Sequence, residues 1–294
     1  MNEEQLIELL SVYRHKGAMP SVGASASAGT RRLESRRPHK LWWIAIAAAV
    51  VIAVIAVWPR DRNGWVTSDG RLLRAGDTIA APTRLESRQI GVVEVGPQTI
   101  VRLEGRNRLA LAHGTIHAKT ISPPGLFIVD TPRARATDLG CEYVLSIAPN
   151  DGGSLRVLTG WVSLTRDGTQ SLVPQGAKAI IGANGSLSAP IFEDAVPAFQ
   201  QAVLRGDVKA ALPLARRRDA LTLINLFRAV SAEERLQIYD RLNQLVSAPA
   251  SAPRDAFGAN WRIGAADPWW ADVLKASGAN AIKKKKKIGI LPPM

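Results

Sequence analysis

An unbroken apolar run at residues 41–58 places a strong limit on how this chain can fold. It reads LWWIAIAAAVVIAVIAVW and holds no charge, proline or glycine. About twenty apolar residues in a helix cross the roughly 30 Å hydrocarbon core of a bilayer, and a helix satisfies its own backbone groups in lipid. Trp42, Trp43 and Trp58 lie at the two edges, where amphipathic rings favour the interface. We therefore predict one transmembrane helix over residues 41–58.

Two other interpretations fit an apolar run of this kind, a buried core helix and a cleaved signal peptide. A signal peptide has a short charged region before its apolar run and a small-residue cleavage site after it. Here forty residues precede the run, and Trp58, Pro59 and Arg60 follow one another at its end. The pattern favours a retained anchor.

Flanking charge predicts the orientation of the anchor, because lysine and arginine are retained on the cytoplasmic side. The N-terminal flank is the more basic of the two, with Arg31, Arg32, Arg36, Arg37 and Lys40, whereas the other flank has Arg60 and Arg62. We expect a single-pass protein of the bacterial inner membrane with a cytoplasmic N-terminus. About four fifths of the chain would then form a periplasmic or other extracytoplasmic region.

The net charge of +13 includes a run of five lysines at residues 283–287. Such runs attract anionic surfaces, including lipid head groups and nucleic acid, but a solvated tail is the favoured interpretation of this one. An extracytoplasmic position argues against nucleic acid, and membrane lipid is the expected partner of the transmembrane helix. Cys141 is the single cysteine, which excludes an intramolecular disulfide and a cysteine metal site.

The segment before the anchor, residues 1–40, combines a short amphipathic helix with a linker. Leu6, Ile7, Leu10 and Tyr13 recur at helical spacing in NEEQLIELLSVYR. A helix of this length is marginal in water on its own, so these four residues are predicted to bind a partner protein. A frayed tail is the alternative.

Residues 65–190 predict an all-β domain. Short stretches rich in β-branched and apolar residues recur between turn residues, among them IGVVEV, TIVRLE, RLALA, TIHAKT, LFIVDT, YVLSIA, LRVLTG and WVSLTR. In VRLEG, Val101 and Leu103 alternate with Arg102 and Glu104, which is typical of a half-solvated antiparallel strand. The pattern leaves open a sandwich, a jelly roll or a short solenoid.

Residues 191–248 change to helical spacing, and Ser231 followed by Glu233 and Glu234 predicts a helix start. The remainder, residues 249–294, carries Trp269 and Trp270 before the lysine run. We interpret the two tryptophans as packing this tail on the body. The alternative is that Trp269 and Trp270 form a hot spot for binding a partner protein.

No residue pattern in the chain predicts catalysis, a cofactor or a metal. His113 and His117 lie in a predicted strand, where residues four apart are separated by roughly 13 Å and do not converge on one ion. Cys141 has apolar neighbours and is interpreted as a core residue rather than a nucleophile. Asp130, Asp138 and Glu142 could form a carboxylate set, but surface acids at turns explain them as well.

The stretch LFIVDTPRARATDLGCEYVLSI resembles the core motif of the FecR family. The matching positions are Phe127, Val129, Thr131, Pro132, Ala134, Ala136 and Gly140, followed by Val157, Gly160 and Val162 in LRVLTGWVSLT. The resemblance covers roughly residues 90–181 and depends on the order of the motifs, with Cys141 in place of the family's threonine.

The resemblance implies a regulator of the inner membrane that passes an envelope signal through one helix to a cytoplasmic sigma factor. Our leading hypothesis is therefore a non-enzymatic, FecR-like sensor that acts through protein contacts. The alternative is an anchored envelope scaffold that binds other envelope proteins without signalling across the membrane.

Overall fold

The computed structural model describes residues 64–279, which belong to the compact unit Asp61–Met294. The predicted anchor at 41–58, the amphipathic segment before it and the lysine run at 283–287 lie outside the described residues. Within residues 64–279, no helix combines the length and the apolar character needed to span a membrane.

The described chain is mainly β, with fourteen strands followed by five α-helices. The strands are β1 (Val66–Thr67), β2 (Thr78–Ile79), β3 (Thr83–Ser87), β4 (Gly91–Val95), β5 (Ile100–Gly105), β6 (Arg108–Thr120), β7 (Ile128–Asp130), β8 (Arg135–Asp138), β9 (Glu142–Ile147), β10 (Gly153–Thr159), β11 (Trp161–Arg166), β12 (Thr169–Pro174), β13 (Ala177–Ile181) and β14 (Ile191–Phe192). The mainly-β class predicted from the sequence is confirmed, and the strands curl into a half-barrel.

The long strand β6 joins the two parts of this half-barrel. Its first half pairs with β5 and, in parallel, with β7, whereas its second half pairs with β4 and β9. The change of partners falls next to Gly114, which has a φ of 95° and leaves no room for a Cβ beside Thr99. The sequence predicted two strands here, RLALA and TIHAKT. That prediction was wrong because a glycine inside a strand can bend it without ending it.

Two hydrogen-bonded sheets result from this arrangement. In sheet A the order is β1-β3-β4-β6-β9-β10-β13-β14, and in sheet B it is β2-β5-β6-β7-β8-β11-β12. On β5, Val101 and Leu103 are buried and Arg102 is exposed, so the predicted half-solvated antiparallel strand is confirmed. The core lies between the inward faces and includes Trp65, Phe127, Tyr143 and Trp161.

The helices are α1 (Pro197–Arg205), α2 (Val208–Ala211), α3 (Ala220–Leu226), α4 (Ala232–Leu245) and α5 (Asp267–Ser277), with 3₁₀ turns at Leu212–Leu214, Arg217–Asp219 and Arg254–Phe257. The predicted helix start at Ser231 is confirmed. The Ser231 hydroxyl accepts a hydrogen bond from the Glu234 amide, and the Glu234 carboxylate accepts one from the Ser231 amide.

An aromatic cluster holds the last helices together. The rings of Phe227, Phe257 and Tyr239 lie 4.8–4.9 Å apart in consecutive pairs, and Trp269 contacts Tyr239 at 5.1 Å. Such tilted and edge-on pairs add to the free energy of burial. Residues 249–279 are therefore packed on the rest of the domain.

The helical region approaches strand β12, which ends sheet B, at one residue. Gln170 of β12 faces a small cavity of about 30 Å³ that is also lined by Ile224, Phe227 and Trp270. Leu172 and Val173 of the same strand are buried.

Candidate binding cleft

Two β-turns at the same end of sheet B form an open cleft of about 410 Å³. One wall is the β7–β8 turn at residues 131–134, and the other is the β11–β12 turn around Arg166, Asp167 and Gly168. Thr131 fixes the first turn, because its hydroxyl donates to the Ala134 carbonyl at 2.8 Å and accepts from the Ala134 amide at 2.9 Å. These two hydrogen bonds close the first turn.

An arginine pair shares one carboxylate beside the cleft. Asp130 ends β7, and Arg135 lies directly opposite it on β8. The Nε of Arg135 donates to one Asp130 oxygen at 2.7 Å, and the Nε of Arg108, on β6, donates to the other. The parallel pairing of β6 with β7 brings Arg108 to this position.

Two further arginines extend the positive surface. Arg133 pairs with Asp151 at 3.0 Å. Arg166 donates from Nε to Asp167 at 2.9 Å and from a terminal nitrogen to the Asn184 carbonyl at 3.3 Å. Its guanidinium lies where Gly185 would carry a Cβ, so only a glycine there permits this arrangement.

A buried cluster of polar groups surrounds Asp138 at the opposite end of the β7–β8 hairpin. Asp138 is 0% exposed and accepts hydrogen bonds from the hydroxyls of Thr120 and Ser122 and from the amides of Gly140 and Cys141. Burial raises the pKa of Asp138, although hydrogen bonds from Cys141, Thr120 and Gly140 oppose the shift. The interpretation of Asp138 as a surface acid was wrong, because the strand pairing encloses it.

Cys141 belongs to this buried cluster. Its thiol donates to Asp138, and burial, followed by the nearby Asp138 charge, raises the pKa of the thiol far above its ordinary value. Nucleophilic cysteines have the opposite shift. Cys141 is 3% exposed, so the prediction of a small core residue is confirmed.

Most residues of the FecR-like motif are buried in the core or allow a tight backbone turn. Phe127, Val129 and Ala136 are completely buried, and Gly140 and Gly160 have φ values of 89° and 72°. A Cβ on Gly160 would overlap the Gly140 carbonyl oxygen. In contrast, the motif positions Thr131 and Pro132 line the cleft.

The predicted partner-binding residues fall in different places. Trp269 is 0% exposed and Trp270 is 8% exposed, and both side chains are covered by this chain's own residues. A role of these two tryptophans in partner binding stays a prediction. Leu6, Ile7, Leu10 and Tyr13 lie outside the described residues.

The two histidines of β6 have separate partners. His113 contacts the Gln98 carbonyl at 3.0 Å, whereas the Nε2 of His117 lies 2.9 Å from Glu142 and its Nδ1 lies 3.4 Å from Glu94. Among residues 64–279, no cluster of three histidine, cysteine or acidic side chains could hold a metal ion.

The sequence did not reveal the arginine cleft. Arg108, Asp130 and Arg135 alternate with inward-facing residues as any solvent-facing strand positions do. The available signal was the recurrence of arginine rather than lysine at Arg133, Arg135 and Arg166 near turns. Arginine is enriched where planar groups such as carboxylates are bound.

No protein-family model matches the chain, and no curated protein matches it. Two crystal structures from Parabacteroides distasonis ATCC 8503, each of a candidate anti-sigma factor, overlap part of it. The first has 17% sequence identity and a TM-score of 0.35, and the overlap covers 46% of this chain and 74% of that one. The second has 20% identity and a TM-score of 0.32, with 46% and 63% covered.

Proposed function

We propose that this protein is a non-enzymatic, FecR-like regulator anchored in the membrane. Its β domain binds a protein partner outside the cytoplasm, and residues 41–58 connect that domain to a cytoplasmic segment that contacts a sigma factor. The order of FecR-like motifs over residues 90–181 and the apolar run with its basic N-terminal flank support this proposal.

The open cleft between the two β-turns is the observation that carries the binding role. Loops held on a folded scaffold are frequent sites of recognition, and this cleft displays guanidinium groups that pair with Asp130, Asp151 and Asp167. Among the described residues, the single thiol is buried in the Asp138 cluster and lies apart from the cleft lining. The arrangement suits binding of a charged surface better than covalent chemistry.

Signal transfer has a thermodynamic requirement. A partner shifts an equilibrium between two states of the chain only if it binds one of them more tightly. Binding at the cleft would therefore have to change the environment of the segment that leads to residues 41–58. We assign Leu6, Ile7, Leu10 and Tyr13 to the cytoplasmic contact, as one apolar face of a helix that orders when it binds.

Crosslinking of the full-length protein in its native membrane, followed by affinity capture and mass spectrometry, tests the proposal. A matched variant replaces Leu6, Ile7 and Leu10 with serine. Recovery of a sigma factor with the parent chain but not with the serine variant supports the regulator. Recovery of envelope proteins alone, unchanged by the serine variant, contradicts signal transfer and favours the anchored scaffold.

A further inference from the structure

The guanidiniums of Arg108 and Arg135 retain unused hydrogen-bond donors. Each arginine donates to Asp130 through Nε. Neither guanidinium has a hydrogen bond from its terminal nitrogens to another residue in the range 64–279. The two terminal nitrogens form one of the edges through which a guanidinium binds a carboxylate in a bidentate manner. Two such edges are therefore available on one surface.

The charges at this surface are not balanced. Asp130 is one carboxylate shared by two guanidiniums, whereas Arg133 and Arg166 each have a carboxylate of their own. Arg108 and Arg135 are about half exposed, at 46% and 47% of their side-chain surface. One positive charge thus remains uncompensated at a solvent-accessible position, where an added acidic group would be attracted.

A second cleft lies next to the first. This open cleft, of about 340 Å³, is lined by Asn184, Gly185 and Leu187 and shares Arg166 and Asp167 with the first. The two open clefts therefore adjoin at Arg166 and Asp167. Adjoining open clefts accommodate an extended peptide better than a compact small molecule, which requires an enclosed pocket.

We propose that this arginine groove, which consists of the two adjoining clefts lined by Arg133, Arg135 and Arg166 together with the neighbouring Arg108, docks an acidic, extended segment of the partner protein. The inference rests on the proposed function, because it names the chemistry of the partner bound at the same cleft. Carboxylate recognition is favoured because Asp130 already occupies the Nε side of two guanidiniums, and their planar forks match further carboxylates. Binding of phosphate groups in place of carboxylates is one of the outcomes that the test distinguishes.

Fluorescence anisotropy with the full-length protein in detergent tests the groove directly. The probe is a fluorescein-labelled peptide of eight glutamates, and a peptide of eight glutamines is the neutral comparison. The double variant Arg108→Gln/Arg135→Gln is expected to bind the acidic probe at least tenfold more weakly, because it removes both free guanidinium edges. Asp130→Asn is expected to bind it more tightly, because it removes the competing carboxylate.

Matched controls separate the groove from general charge attraction. Arg254 and Asp240 form a two-bond ion pair in the helical region, away from the groove. Arg254→Gln together with Arg262→Gln changes net charge as much as the double groove variant does, and Asp240→Asn matches Asp130→Asn. These controls should leave the affinity within about twofold of the parent. Every variant is also measured with residues 283–287 changed to glutamine, since that lysine run attracts acids by itself.

Three results would overturn the inference. Equal losses in the groove variant and its charge-matched control would show general attraction only. Equal binding of the glutamate and glutamine peptides would exclude recognition of carboxylates. Competition by inorganic phosphate at concentrations where acetate does not compete would assign the groove to phosphate instead. The sigma-factor capture described above depends on residues 6–10, so it can fail or succeed independently of these measurements.

Discussion

The two ends of the β7–β8 hairpin hold the same side chain in opposite environments. Asp130, at the cleft, has 22% of its side chain exposed and pairs with two arginines. Asp138, at the other end, is fully buried and has only uncharged donors. An exposed ion pair contributes little to stability, whereas a buried carboxylate must retain its hydrogen bonds. The arginines that pair with Asp130 can therefore exchange partners, whereas Asp138 stabilises the fold.

The largest expected difference between the two ends comes from removing each carboxylate. Asp138→Ala leaves buried amides and hydroxyls without an acceptor, each costing about 1–3 kcal/mol, so we expect a loss of about 3 kcal/mol or more in the free energy of unfolding. Asp130→Ala should lose less than about 1 kcal/mol. Urea unfolding followed by circular dichroism measures both. Similar losses in the two variants would contradict the contrast.

Glycine substitutions sharpen the same comparison. Gly160, at the buried end, and Gly168, at the cleft, have φ values of 72° and 78°. An added Cβ would overlap backbone atoms at Gly160, whereas it meets nothing within 4 Å at Gly168. Gly168→Ala should therefore cost about 1 kcal/mol from the backbone conformation alone, and Gly160→Ala should cost about 2 kcal/mol more from overpacking. Thermal unfolding of the two variants gives the difference, and equal melting temperatures would refute it.

The pH dependence of stability provides a third contrast. Burial raises the folded-state pKa of Asp138 above its ordinary value of 3.8. At pH values between 3.8 and the raised pKa, the folded state binds more protons than the unfolded state. The free energy of unfolding therefore falls as the pH rises through this range. Asp138→Asn cannot titrate, and the parent should gain stability relative to this variant on acidification. Paired urea titrations from pH 7 to pH 4 measure the difference, and a pH-independent difference would contradict the raised pKa.

The smallest expected effect concerns Arg135. Its pair with Asp130 is exposed, and Arg108 still contacts Asp130 when Arg135 is replaced. Arg135→Gln should therefore change the free energy of unfolding by less than about 0.5 kcal/mol. A loss above about 2 kcal/mol would mean that the arginine pair maintains the fold and is not free to bind a partner.

Local patterns in the sequence predicted several elements correctly. The alternation in VRLEG assigned Val101 and Leu103 to the core, and the spacing of Ser231 and Glu234 identified the start of α4. Both features depend on residues a few positions apart, so side-chain period and capping chemistry are sufficient. The apolar run at 41–58 is a local signal of the same kind, and its membrane role stays a prediction.

The candidate site depended on distant pairings that no local pattern contains. Arg108 and Asp130 are 22 residues apart and meet because β6 and β7 run parallel. Asp138 has the same acidic signature in the sequence as Asp130, but Thr120 and Cys141 enclose it through the strand pairing. The alternation of apolar and polar residues predicts which side chains share a face of a strand, but it does not predict which strands pair with it.

The sequence by itself determined the β-rich and helical halves of the described chain, because side-chain periods of two and about 3.6 residues are properties of local backbone geometry. The tertiary structure decided which acid is buried, which arginines share a carboxylate, and that β6 is one bent strand. These outcomes follow from strand order and from the close approach of backbones at Gly114 and Gly160. They are set by packing between segments distant in the chain.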